Sequence, residues 1–336
     1  MVGASTMATS IDFQQLLREE RRRAIESRKK KASPNGGENS ALYEGAPAMQ
    51  ARESSIEIEL GKYRCGSLEN VYYIPDFLSR GEETALVAEV EEHGKNKKPW
   101  VQLTQRRLQN IGGVPHFNGM ISEPLPAFVQ KLNEKLAKSG ILSQAASGTV
   151  PNHVLLNEYT QGKGIAPHKD GPLYKSIAII VSLCGTARLD FLENATEQKT
   201  SPSPGQNRGI SNRKAYKVLE KVLLMPRSCL VFTSAAYDKY FHGIKSAALD
   251  SKSGICNEHL LPTEMQNCSI SGNFLPRSEK RLSITLRHAK TSIMPGKEKP
   301  GSILMTPEAQ EEMKRRELRW LHNICEKHTD DYIYYE

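Results

Sequence analysis

From His153 onward the chain is cut into short apolar segments, and this punctuation restricts the fold more than any other feature of its 336 residues. His153–Tyr159, Ile177–Leu183, Ala187–Leu192, Lys217–Met225, Cys229–Thr233 and Arg281–His288 are five to nine residues long and rich in β-branched or aromatic side chains. Gly, Pro or polar runs bound most of them. Segments of that length and composition are strands rather than helices. Upstream, Val71–Pro75 reads as a short strand and Val101–Leu108 as another. Ser79-x-x-Glu82 is a capping box, so a helix is expected from there to about His93. A second helix is expected over Pro126–Ser139, stopped by Gly140. Six or more short strands after two helices predict an α+β chain, mainly β: an antiparallel sandwich or barrel with the helices packed on one side. Two polar segments, Asn194–Tyr216 and Ser246–Lys280, exceed ordinary connections and are expected to be functional or disordered. Thr306-Pro307-Glu308 opens an amphipathic helix expected to run to about Lys327.

Composition removes several classes. The longest apolar-rich run, Ile177–Leu183, has seven residues, whereas a membrane-spanning helix needs about 20. The first 33 residues hold no apolar stretch of the kind a secretory signal requires. Six cysteines lie scattered with no C-x-x-C. Neither a disulfide framework nor a zinc knuckle is expected, and a reducing compartment is. Cys256, His259 and Cys268 form only an incomplete zinc set. The net charge is +8, and +4 of it lies in residues 1–33, which carry eight basic and four acidic side chains. Such an arm reads either as an RNA-binding or nuclear-import element or as a solvated charged helix. Residues 32–55 read as a flexible linker.

The chemistry concentrates in Asn157-Glu-Tyr159-Thr-Gln-Gly162-Lys-Gly164-Ile165-Ala-Pro-His168-Lys-Asp170. In an extended chain His168 and Asp170 point the same way, so an imidazole and a carboxylate converge. With a second imidazole from a distant strand they make the two-His-one-carboxylate facial triad of non-heme Fe(II), which leaves coordination positions open. His242, after the strand Cys229–Thr233 and an aromatic run, is the candidate third ligand. An H-x-D alone is a weak signal; the strand, the Gly-rich turn and the later His strengthen it. Arg281-Leu-Ser-Ile-Thr-Leu-Arg287 places two arginines six apart on one face of a strand. A buried arginine demands an anion, and a dicarboxylate cosubstrate would supply one. The plainer alternative is a half-exposed strand with two solvated arginines. Asn157 and Tyr159 likewise share a face.

Taken together, these residues resemble the AlkB family of Fe(II)- and 2-oxoglutarate-dependent dioxygenases. The pattern N-x-Y-x-x-G-x-x-I-x-x-H-x-D runs without a gap over 157–170, followed by the distal His and the R-x5-R, and the resemblance covers roughly residues 65–295. Pro115-His116-Phe117-Asn118-Gly119-Met120 and His168-Lys-Asp170-Gly171-Pro172-Leu173-Tyr174 look most like the branch called AlkB homologue six. The resemblance implies a double-stranded β-helix (jelly roll). It implies Fe(II) on His168, Asp170 and His242, with O2 and 2-oxoglutarate as cosubstrates. Arg281 with Tyr159 would take the far carboxylate of 2-oxoglutarate, and Asn157 and Arg287 would lie at its near end. It also implies a nucleotide-recognition lid, here about Lys95–Met120, in which Trp100, Arg106, Arg107, His116 and Phe117 suit phosphate contact and base stacking. The alternative for Trp100 is a core anchor. The implied chemistry oxidises an N-methyl group and releases it as formaldehyde.

The expected organisation is a basic arm and linker (1–60), an extension with the lid (61–150), a jelly-roll core (151–295) and a helical tail (296–336). The expected function is oxidative demethylation of an alkylated nucleic-acid base, RNA before DNA, in nucleus and cytoplasm, with methylated RNA as the partner and no membrane. Two alternatives stay open: an oxygenase acting on protein side chains, and a catalytically weak reader of modified RNA.

Overall fold

The structure, a computed structural model, describes residues 57–116, 119–195, 214–266, 273–293 and 332–335, all within one unit spanning 54–336. The expected helix at 306–327, Cys268 and the arm at 1–55 lie outside the described residues.

Two antiparallel sheets face each other. The larger has seven strands in the order β1 (Val71–Ile74), β11 (Cys229–Thr233), β8 (Ile177–Leu183), β15 (Lys280–Arg287), β6 (His153–Thr160), β3 (Arg107–Ile111) and β2 (Val101–Gln102). The smaller contains β10 (Lys214–Leu224), β9 (Ala187–Asn194), β12 (Phe241–Ile244) and β7 (Ile165–His168), with β17 (Tyr332–Tyr335) added in parallel along the outer edge of β10. This is the jelly-roll arrangement, and every strand expected after His153 is present. The strand expected over 101–108 is instead two pieces. A turn closed by the Leu103 N–H on the Arg106 carbonyl interrupts it, and the second piece continues to Ile111.

The period-2 pattern decides which side chains meet the helices. On β15, Leu282, Ile284 and Leu286 join Val154 and Leu156 of β6 and Ile179, Val181 and Leu183 of β8 in one apolar layer. Against it pack α1 (Arg80–Asn96), α2 (Ala127–Lys138) and α3 (Ile141–Ala146), through Leu86, Val90, Phe128, Val129, Leu132, Leu136, Ile141 and Leu142. The capping box is formed: the Glu82 N–H donates to Ser79 Oγ and the Ser79 N–H to Glu82 Oε2. The opposite face of the large sheet turns toward the small sheet. There Tyr159, Ala178, Ile180, Leu230 and Phe232 pack with Ile165, Leu189, Phe191, Val222 and Ile244. Arg281, Ser283, Thr285 and Arg287 share that inner face of β15, every one of them less than 9% exposed.

Several short strands were not expected. β4 (Gly113–His116) and β5 (Gly119–Ser122) form a hairpin, extended by β16 (Ser292–Ile293). The segment 246–280 contains a hairpin of β13 (Leu249–Ser251) and β14 (Phe274–Pro276). The expectation of unbridged cysteines is corrected at one pair. Cys65 and Cys256 Sγ lie 2.13 Å apart, a disulfide between positions 191 residues distant. The bond is made because the segment holding Cys256 folds onto β10, with the Cys256 N–H on the Lys221 carbonyl. Cys256 is therefore no zinc ligand.

Candidate metal centre and cosubstrate cleft

β7 and β12 pair with His168 directly opposite His242. Close approach of the two strands is possible because Gly164 has no side chain: a Cβ there would sit 2.1 Å from the Ile244 carbonyl oxygen. Two residues beyond His168 the chain delivers Asp170, and the potential ligand atoms of His168, Asp170 and His242 all lie within 4.8 Å of one another. The two imidazole centroids are 4.3 Å apart.

The protonation of these groups suits a cation. His168 Nδ1 donates to the Ala166 carbonyl at 2.9 Å, since a carbonyl only accepts, so Nε2 keeps its lone pair. Burial, with His242 beside it, lowers the His168 pKa to about 3, and burial lowers that of His242 as well. Both rings are therefore neutral near pH 7. Burial alone would raise the Asp170 carboxyl, but the Arg287 guanidinium, helped by the two imidazoles, holds it below the usual carboxylate range. Arg287 Nη1 donates to Asp170 Oδ1 at 2.5 Å. Asp170 Oδ2 and His242 Nδ1 are buried with no hydrogen-bond partner among the described residues. A buried carboxylate oxygen left bare beside two imidazoles is costly unless a cation or its water occupies the spot. The donor set of two imidazoles and one carboxylate fits Fe(II).

Arg281, four per cent exposed, gives the second half of the cleft. Its Nη2 donates to Ser182 Oγ at 2.9 Å, and its guanidinium carbon lies 5.7 Å from the Tyr159 ring centroid. Nε and Nη1 have no partner among the described residues. Arg281 lines a small cavity together with Tyr159, Thr186 and Ile244. Burial lowers the Arg281 pKa to about 10, still a cation at neutral pH. A buried cation with unmet N–H donors fits a carboxylate. Asn157 lies on the same inner face, its Oδ1 accepting from Arg106 Nε at 2.8 Å.

The structure thus brings His168, Asp170, His242, Asn157, Tyr159, Arg281, Arg287 and Arg106 into one cleft. It does not bring Trp100 and Arg107 there. Arg107 points to the helix side of the sheet, making paired 2.7 Å bonds to Glu158 and lying 4.5 Å from the Trp100 ring. Trp100 packs against the helical layer, so the core-anchor alternative describes it. The cause is the strand period: Arg106 and Arg107 are adjacent and must face opposite ways. His116 ends β4 with its side chain outside the described residues, and Phe117 lies wholly outside them. Ser182 was missed. Its signal was a lone hydroxyl within the otherwise apolar run Ile177–Leu183.

A family model described as the 2OG-Fe(II) oxygenase superfamily matches residues 70–287. The chain is similar to a Danio rerio protein named "Probable RNA/DNA demethylase ALKBH6", 36% identical over 219 residues, which are 65% of this chain and 85% of that one. It is 24% identical over 234 residues to an Arabidopsis thaliana "Alkylated DNA repair protein ALKBH8 homolog", covering 67% of this chain and 59% of the relative. Among solved structures it matches that of OsALKBH1, at 17% identity and a TM-score of 0.39 over 66% of this chain and all of that one.

Proposed function

The chain belongs to the 2OG-Fe(II) oxygenase superfamily, in its AlkB family, and from that premise we propose that it removes alkyl groups oxidatively from a nucleic-acid base, RNA before DNA. The observation that carries the reading is the cleft itself. Three neutral or anionic donors converge within 4.8 Å, and β15 of the facing sheet holds a buried guanidinium with unmet donors. His168, Asp170 and His242 would hold Fe(II). Arg281 would pair with the distal carboxylate of 2-oxoglutarate, supported by Tyr159 and Ser182. Bound iron with 2-oxoglutarate and O2 supplies the oxidising power for hydroxylation of a C–H bond.

The protein's own contribution is orientation and shielding. Neutral imidazoles ligate without first losing a proton. Arg287 keeps Asp170 ionised. Arg281 and Arg106 give the cleft a positive potential, which favours an anionic cosubstrate and an approaching phosphate. A base must leave its stack to reach this depth, so single-stranded or flipped substrate is required. The RNA preference draws on the basic arm of residues 1–33. The run Arg28-Lys-Lys-Lys31 supports residence in the nucleus as well as the cytoplasm.

The test is succinate and formaldehyde release by the purified chain with Fe(II), 2-oxoglutarate and N-methylated RNA, compared with Asp170→Ala. We expect the variant to lose at least about 100-fold in turnover, as loss of a group central to the chemistry does. Retained turnover in Asp170→Ala would remove the metal assignment. Asp170-dependent succinate without formaldehyde from RNA or DNA would keep the oxygenase and redirect the substrate to protein. Iron and RNA binding with no turnover would indicate a reader.

A further inference from the structure

Beyond the ligands, the motif His168-Lys-Asp-Gly-Pro-Leu-Tyr174 ends in a tyrosine that the reaction as described does not use. Tyr174 is 1% exposed, four residues after Asp170. Gly171, at φ +88°, turns the chain there. The loop then folds back onto the end of β15. Tyr174 bridges Ala289, the Lys175 N–H donates to the His288 carbonyl, and the Lys290 N–H donates to the Leu173 carbonyl. This stitching sets the Tyr174 ring under the Arg287 guanidinium, with the guanidinium carbon 4.5 Å from the ring centroid. His153, cross-strand partner of Arg287, also packs on this ring, its centroid 5.3 Å from that of Tyr174. Its Nε2 bonds Asn110 Oδ1 at 3.2 Å. Arg287, so held, donates to Asp170 Oδ1 and leaves Oδ2 bare.

We infer that Tyr174, backed by His153, is a positioning residue of the metal centre. Its ring holds Arg287 against Asp170 and thereby fixes which carboxylate oxygen is offered to the cation. The inference rests on the metal-centre reading above. A desolvated cation over an aromatic face is a strong contact, and a planar guanidinium is suited to stacking and carboxylate pairing at once. The Tyr174 hydroxyl is buried with no partner among the described residues. The ring, rather than the hydroxyl, therefore carries the role. Groups that orient metal ligands in this way typically govern affinity by about 10- to 100-fold.

The full chain, without iron, is titrated with Co(II) alone, and the affinity and visible absorption of the bound ion are compared in wild type, Tyr174→Phe and Tyr174→Leu. We expect Tyr174→Phe to match wild type in both. We expect Tyr174→Leu to bind about 10-fold or more weakly, with an altered cobalt spectrum and a cooperative melt. If Tyr174→Leu loses that melt, Tyr174→Met, which fills the space without a ring face, takes its place. Wild-type affinity in the folded Leu or Met variant would overturn the inference, as would a Phe variant as weak as Leu. Either result would leave the metal centre standing. Failure of the wild-type chain to bind Co(II) would instead sink the centre and the inference with it.

Discussion

His153 shows how one buried side chain writes a pH dependence into the whole protein. It is fully buried, and burial, aided by Arg287 and Lys98, pushes its pKa well below 6.5. Above pH 6.5 it is neutral in both folded and unfolded chains and contributes no pH dependence. Below that value the unfolded chain takes up a proton that the folded one refuses, so stability falls as the pH drops. The slope is about 1.4 kcal/mol per pH unit for this one group. His168 and His242 act in the same direction. Denaturant unfolding of the metal-free protein between about pH 7 and 5 should therefore show a slope shallower by about that amount in His153→Gln. A slope identical to wild type would mean that His153 protonates in the folded state. At this scale the sequence was partly readable. The alternation Asn157, Tyr159 and the pair Arg281, Arg287 predicted shared faces, and those faces exist. Arg107 was misplaced because adjacent basic residues look equivalent in sequence, whereas a strand sends them to opposite sides.

At the scale of elements, the hairpin of β13 and β14 is braced at its stems. Arg277 makes paired bonds to Asp250 at 2.6 and 2.7 Å, both side chains being about 5% exposed. Its Nη1 also donates to the carbonyls of Lys163 and Lys245, at 3.1 and 2.8 Å. Those carbonyls precede β7 and follow β12, the two strands that carry His168 and His242. One guanidinium therefore ties the stems of the hairpin to both histidine strands. Removing one partner of a buried pair leaves the other charge uncompensated, at about 3–5 kcal/mol. Arg277→Met should lower the unfolding free energy by that order. Asp250→Asn with Arg277→Gln should recover part of the loss, because both charges vanish while the acceptor for the Arg188 N–H remains. An unchanged denaturation midpoint in Arg277→Met would show that the stems are held by something else. The helix at 80–96 was legible because its capping box is local. The strands at 249–251 and 274–276 were not, because three residues are too few to show alternation and their pairing spans a long excursion. β12 was hidden for a related reason: four residues with an internal glycine, Phe241-His-Gly-Ile, carry little strand signal.

For the whole molecule, the sandwich could be read from the spacing of its strands, whereas the Cys65–Cys256 bridge could not, since nothing local marks partners 191 residues apart. Charge is a third kind of property, legible in sequence and independent of the fold. Half of the net +8 sits in the first 33 residues, while the cleft itself lies between the two sheets. Phosphate contact by a basic arm releases counterions, so it shows itself as a salt dependence rather than as geometry. Each neutralised phosphate on a single strand steepens the decline of log affinity with log salt by about 0.7. If about half of the eight basic side chains in the arm meet phosphates, deleting residues 1–53 should flatten that slope by roughly 3 and weaken RNA binding most at low salt. Succinate formation in the absence of RNA should stay at the full-chain level, because every residue placed in the cleft lies beyond position 100. Titrating labelled RNA against both forms over a range of salt measures the difference directly. Equal slopes would dismiss the arm from substrate capture and leave Arg106 and the region 95–120 to account for all of it.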